Sequence, residues 1–74
     1  MNRLKDLRED NDLTQEECAK VAFISKNSYI RYERNERIPT ADTLISFANF
    51  YKTSVDYILK LTDEIKPYPR GKEK

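Results

Sequence analysis

The chain has 74 residues, with 14 Lys and Arg against 13 Asp and Glu, and a formal charge of +1. That length holds one small domain, and so short a chain buries only about 60% of its unfolded surface, so marginal stability without a partner is expected. One cysteine, Cys18, excludes an intrachain disulfide, and the lack of histidine removes the usual zinc ligand sets.

The first helix is expected from about Arg3 to Asn11, with Asn2 as its cap and Leu4 and Leu7 on one face. Asp10, Asn11 and Asp12 break that pattern. Thr14 followed by Glu17 is a capping box, and Leu13 and Cys18 flank it as a hydrophobic staple. Helix two then runs to about Ala22, with Cys18, Ala19 and Ala22 inward. Ser25 opens helix three, with Ile24 and Tyr29 as a second staple, and the helix reaches Glu33 or Arg34 while burying Tyr29 and Tyr32.

Pro39 and Thr40 mark a loop and the cap of a fourth helix, which runs to about Tyr51 on Leu44, Phe47, Ala48 and Tyr51. Ser54 caps a fifth helix carrying Val55, Ile58, Leu59 and Leu61. From residue 65 the segment to 74, with Pro67, Pro69, Gly71 and several basic residues, is expected to be a disordered basic tail. The domain therefore spans residues 1–64. It reads as all-α with five helices, and no strand pattern, repeat or glycine-rich phosphate loop is present.

Charge is unevenly placed. Between residues 26 and 37 stand Lys26, Arg31, Arg34 and Arg37 against Glu33 and Glu36, a local excess of two. A near-neutral total with a basic stripe suits nucleic acid, because the field depends on where the charges sit. Two short capped helices joined by a tight turn form a helix-turn-helix, whose second helix reads base edges from its N-terminal turns. Lys26, Asn27 and Arg31 meet that need, since 27 and 31 lie one turn apart on one face. Arg and Lys suit the O6 and N7 acceptors of guanine, and Asn suits the N6 and N7 edge of adenine. Ordinary solvated residues on a surface helix are the plain alternative.

Phosphate contacts are expected to position the helix. Thr14 and Gln15 stand at the first turn of helix two, where unpaired amides and the helix dipole attract an anion. Arg34, Arg37 and Thr40 are the candidates after helix three. Ile30 either meets a thymine methyl or packs at the edge of the core. Phe50 and Tyr57 either pack inward or form a dimer face, whereas Tyr51 reads as core.

Taken in order, Arg8, Thr14-Gln15-Glu16-Glu17, Ala19, Ile24-Ser25, Tyr32-Glu33-Arg34, Pro39, Leu44, Ala48 and Thr53-Ser54-Val55-Asp56-Tyr57-Ile58-Leu59 make a specific pattern. Over about residues 2–62 the chain resembles the Xre/Cro-type helix-turn-helix regulators of bacteria and phages. The resemblance implies a lambda-repressor-like fold and base reading by Lys26, Asn27 and Arg31, with Ser28 as a further polar contact. It also implies a structural ion pair between Arg8 and Glu33. Phe23 stands where the family usually has glycine. A left-handed non-glycine residue costs about 1–2 kcal/mol, so an altered turn with the ring against helix three is expected. Asn35 replaces another glycine but tolerates that backbone. Lys60 replaces a third, which would let the fifth helix run on toward Asp63. Cys18 stands where leucine is usual and reads as a small core residue.

Together these features describe a DNA-binding transcriptional regulator, a repressor that binds a palindromic operator in double-stranded DNA as a homodimer and occludes RNA polymerase. Half-sites lie about 34–36 Å apart in such operators, which matches two-fold protein symmetry. The rival is an antitoxin or phage-immunity component whose main task is to bind a protein partner, with operator binding as autoregulation. Without histidine or a nucleophile–base pair, an enzyme is not expected. No metal or cofactor is expected either. With no spanning apolar run and no signal-peptide pattern, the chain is expected to be cytoplasmic and free of the membrane.

Overall fold

The computed structural model describes residues 2–67, so residues 68–74 of the basic tail lie outside the described residues. Five helices follow one another: α1 (Leu4–Asp10), α2 (Gln15–Val21), α3 (Lys26–Glu33), α4 (Ala41–Tyr51) and α5 (Val55–Ile58). Among the described residues there is no strand. The fold is an all-α, five-helix domain of the lambda-repressor-like kind.

Four of the helices begin in one way. Thr14, Ser25, Thr40 and Ser54 are extended, and each side-chain oxygen accepts the amide three residues on, from Glu17, Ser28, Thr43 and Tyr57. Each such cap contributes about 1 kcal/mol. At Thr14 the box closes, since Glu17 Oε1 also accepts from the Thr14 amide at 2.8 Å. Helix α1 differs: Arg3 makes no side-chain cap, and Asn2 Oδ1 instead accepts from the Leu4 amide at 3.0 Å.

All five helices also end in one way. Asp12, Phe23, Asn35, Lys52 and Lys60 are left-handed, with φ from 56° to 63°. The next amide in each case donates to a carbonyl five residues back: Leu13 to Arg8, Ile24 to Ala19, Glu36 to Arg31, Thr53 to Ala48 and Leu61 to Asp56. This closure satisfies carbonyls that the helix leaves open. None of the five residues is glycine.

That motif overturns two expectations. The turn at Phe23 is not altered: its backbone is left-handed, and the ring, 95% exposed, does not pack on α3. The closing bond from Ile24 to Ala19 fixes the backbone and leaves the side chain outside. At Lys60 the left-handed backbone stops α5 at Ile58 rather than near Asp63, and Leu61 is 72% exposed instead of continuing the apolar face.

The core gathers Leu4, Leu7, Cys18, Ala19, Tyr29, Tyr32, Leu44, Phe47, Ala48 and Ile58. Phe47 is at its centre, edge-on to Tyr29 at 5.7 Å and stacked with Tyr51 at 6.2 Å. Polar groups carried inward are paired. Cys18 Sγ lies 3.3 Å from the Tyr51 hydroxyl, and the Tyr29 hydroxyl donates to the Leu4 carbonyl at 3.4 Å. Among the described residues no buried side-chain nitrogen or oxygen lacks a partner, so desolvating these groups carries little of the usual penalty.

Helix α3 packs against α1 and α2, and α4 against α2 and α5. The chain start is fastened at two points. Asn2 Nδ2 donates to the Tyr32 carbonyl at 2.9 Å. The Arg3 guanidinium lies 4.3 Å over the Tyr57 ring, and its Nε donates to the Tyr57 carbonyl at 2.8 Å. In the first residues of the tail, the Thr53 hydroxyl donates to the Ile65 carbonyl.

Candidate functional site

Helix α3 is divided lengthwise. Tyr29 and Tyr32 are buried, and the Glu33 side chain is only 5% exposed. On the other side Lys26, Asn27 and Arg31 are exposed, with Asn27 and Arg31 one turn apart. The tyrosines fix the helix against the core by burial, which leaves three polar side chains exposed on the outer side of α3. Such a face presents two cationic donors and one amide with both donor and acceptor, the set that hydrogen-bonds base edges.

Ser28 stands three residues before Arg31, beside that face. It is half-buried, and its hydroxyl accepts from Ser25 Oγ at 3.0 Å beside the cap. Ile30 is half-buried too, at the margin between core and outer face.

The start of α2 lies beside this helix. An open cleft is lined by Arg8, Leu13, Thr14, Gln15, Glu16 and Lys26, which brings Thr14 and Gln15 together with the first residue of α3. Thr14 is exposed and Gln15 half-buried. Arg34 and Arg37 are exposed in the segment after α3. Arg37 lines a second cleft, with Asn2, Asn35, Ile38, Pro39 and Leu59. Thr40 is also exposed, but its hydroxyl caps α4 and donates to Thr43 Oγ1 at 3.0 Å.

On the inner side of α3, Arg8 Nε donates to Glu33 Oε2 at 2.6 Å, and Nη2 reaches Oε1 at 3.4 Å. Two further bonds extend the pair: Arg8 Nη1 to the Leu13 carbonyl at 3.2 Å, and Gln15 Nε2 to Glu33 Oε1 at 3.2 Å. One carboxylate therefore ties α1, the entry to α2 and the end of α3. Burial by itself would push the Glu33 carboxyl up. Hydrogen bonds from Arg8 and Gln15, with the neighbouring Tyr29 hydroxyl, outweigh it and hold the carboxyl below the usual carboxylate range. The hydrogen bond to Glu33 raises the Arg8 guanidinium in turn. Burial pushes the Tyr29 and Tyr51 hydroxyls far above the ordinary tyrosine range, so both stay neutral.

Sequence reasoning missed the Gln15–Glu33 bond and the Arg3–Tyr57 contact. Their partners lie 18 and 54 residues apart, and no local spacing signals such pairs. Phe50 is 46% exposed and edge-on to Tyr51 at 5.0 Å. Tyr57 is half-buried with one ring face beneath Arg3. Among the described residues no acidic, cysteine or histidine group is disposed to hold a metal ion. No described helix is long and apolar enough to cross a membrane.

Comparison with known proteins agrees with this geometry. A family model described as helix-turn-helix matches residues 4–58. The chain is 45% identical over 65 residues to the uncharacterized HTH-type transcriptional regulator YobD of Bacillus subtilis, covering 88% of this chain and 58% of that protein. It is 42% identical over 57 residues to the HTH-type transcriptional regulator ImmR of the same organism, covering 77% of this chain and 45% of ImmR. With the cryptic phage CTXphi transcriptional repressor RstR of Vibrio cholerae it shares 38% identity over 50 residues, covering 68% of this chain and 45% of RstR. The chain thus spans about half the length of the curated relatives it matches. No solved structure matches it.

Proposed function

This chain belongs to the Xre-type helix-turn-helix family, and from that premise we propose that it is a sequence-specific DNA-binding transcriptional regulator, a repressor that binds a palindromic operator as a homodimer. The family is one of transcriptional regulators rather than of enzymes. The observation that carries the reading is the division of α3, with tyrosines buried on one side and Lys26, Asn27 and Arg31 exposed on the other.

In this reading α3 lies in the major groove. Arg31 and Lys26 donate to guanine O6 and N7, and Asn27 pairs with the N6 and N7 edge of adenine. Ser28, bonded to the cap, serves the helix start before it serves any base. Thr14 and Gln15 at the entry to α2 meet one stretch of phosphates, and Arg34, Arg37 and Thr40 meet another. The Arg8–Glu33 pair touches no DNA. It sets the angle between α1 and α3, so the outer face of α3 arrives oriented.

Phe50 is the proposed centre of the dimer face, because it is a large apolar side chain left exposed on α4, a different helix from the proposed reading helix. Two copies joined there would offer two reading helices to a two-fold operator. Repression would follow from steric occlusion of RNA polymerase. The names of the phage repressor RstR and of ImmR support the regulator reading.

The test is selection from a randomised duplex library, followed by binding of the enriched duplex at two salt concentrations with wild type and Arg31→Ala. Enrichment of one motif, weaker binding at the higher salt and a loss of roughly 5- to 150-fold in Arg31→Ala are expected. Enrichment of no sequence over random DNA at low salt would overturn the reading.

A further inference from the structure

Phe23 is the residue that the fold leaves unexplained. Of the five left-handed residues that close the helices, Asp12, Asn35, Lys52 and Lys60 are polar, and Phe23 is aromatic. Asparagine and aspartate visit this backbone routinely, whereas a residue with a bulky side chain makes it a conformational outlier. The turn itself closes α2, but the aromatic side chain gains nothing inside the molecule for the strain it adds. At 95% exposure the ring buries almost nothing against the core, and glycine would make the same turn without cost.

The position of the ring suggests what it meets. Phe23 lies two residues before Ser25, the cap of α3, and three before Lys26, the first residue of the proposed reading helix. Its amide donates to the Lys20 carbonyl at 3.2 Å, and two exposed lysines, Lys20 and Lys26, stand three residues before and three after it in the chain. An apolar ring just before the reading helix, with exposed cations in the same stretch of chain, complements one surface well. That surface is the edge of a DNA groove, where a phosphate pairs with Lys20 and the thymine methyl is the apolar group on the base edges. A second protein copy would more naturally meet α4, where the large apolar side chains Phe50 and Ile45 are also exposed.

We propose that Phe23 is a specificity-determining residue that packs against the C5-methyl of one thymine flanking the bases read by α3. The proposal rests on the DNA-binding reading above. Contact with a methyl group is worth about fourfold in affinity by apolar burial, and it involves no counterion. Its loss therefore lowers affinity at every salt concentration without changing the salt slope.

The experiment uses the duplex enriched from the randomised library, with each thymine in turn replaced by deoxyuridine, which lacks only the methyl. Wild type, Phe23→Gly and Phe23→Asn are compared, since glycine and asparagine both accept the left-handed backbone. Wild type should lose about fourfold at one thymine, and both variants should be indifferent to that same replacement. Melting temperatures of the variants should equal or exceed that of wild type, because strain is removed.

Equal sensitivity of wild type and variants at every thymine, with binding otherwise intact, overturns this inference alone. A shift in the monomer–dimer equilibrium of the variants with no thymine singled out also overturns it and assigns the ring to a protein contact. Failure of wild type to enrich any sequence removes the DNA-binding reading and the inference with it.

Discussion

Helices α3 and α4 share a core yet turn different outer faces to solvent. Inside, Tyr29 of α3 meets Phe47 of α4 edge to face. Outside, α3 presents Lys26, Asn27 and Arg31, whereas α4 presents the apolar Ile45 and Phe50 on either side of Asp42 and Asn49. The difference teaches that one small core can serve two surfaces of unlike chemistry. A charged hydrated partner is met by long polar side chains held on a fixed helix. An apolar partner is met by side chains that gain by leaving water. On this comparison the two faces should fail separately.

The widest break comes from the support beneath α3. Arg8→Ala leaves Glu33 buried without its main partner, and removing one member of a buried pair costs about 3–5 kcal/mol. Urea denaturation should register that loss. A change within about 0.5 kcal/mol, the range usual for surface substitutions, would show that the pair contributes little to the fold.

Glu33→Gln sharpens the same point through pH. The Glu33 carboxyl is held below its ordinary range in the folded protein, so its contribution is present above the unfolded value of about 4.3 and is lost as pH falls through the folded value. Glu33→Gln should cost about 1–3 kcal/mol at neutral pH, as expected when a buried charge loses its full partner. Denaturation measured from neutral pH downward should show wild type declining below about pH 4.3 and the variant changing less, so that the two curves converge. Parallel curves would remove Glu33 from the acid response.

The smallest effect belongs to the other face. Phe50→Ser should weaken self-association by about 1 kcal/mol, since the ring is already part-covered by Tyr51 and only its exposed portion is gained by an interface. Sedimentation should detect the shift, with the affinity of a single half-site unchanged. Unchanged association would remove Phe50 from the proposed dimer face.

Much of this architecture is legible in the chain because the relevant forces are local. A Ser or Thr hydroxyl three residues before the amide it accepts can be read from the sequence at Thr14, Ser25, Thr40 and Ser54, and each of them caps a helix. Apolar spacing likewise assigns Leu4, Leu7, Tyr29, Tyr32, Leu44, Phe47 and Ile58 to the inside, where the structure has them. The exposed polar side of α3 follows from the same periodicity.

The helix ends were harder to read. Asn35 is suited to a left-handed turn by its own chemistry, but Phe23 and Lys60 are not. Local propensity argued for an altered turn at one and a longer helix at the other. Tertiary structure decided both, because closing each helix end and folding the next segment back on the core outweigh a strain of about 1–2 kcal/mol.

What the sequence determined by itself was therefore the number of helices, the capped starts of α2 to α5 and most of the side chains that each helix buries. All of these depend on groups within a turn or two of one another. Only the tertiary structure decided that Gln15 joins the Arg8–Glu33 pair, that Arg3 lies over Tyr57, and that the Phe23 ring remains in water. Those outcomes depend on which distant segments come together, and that is set by packing the whole chain around Phe47.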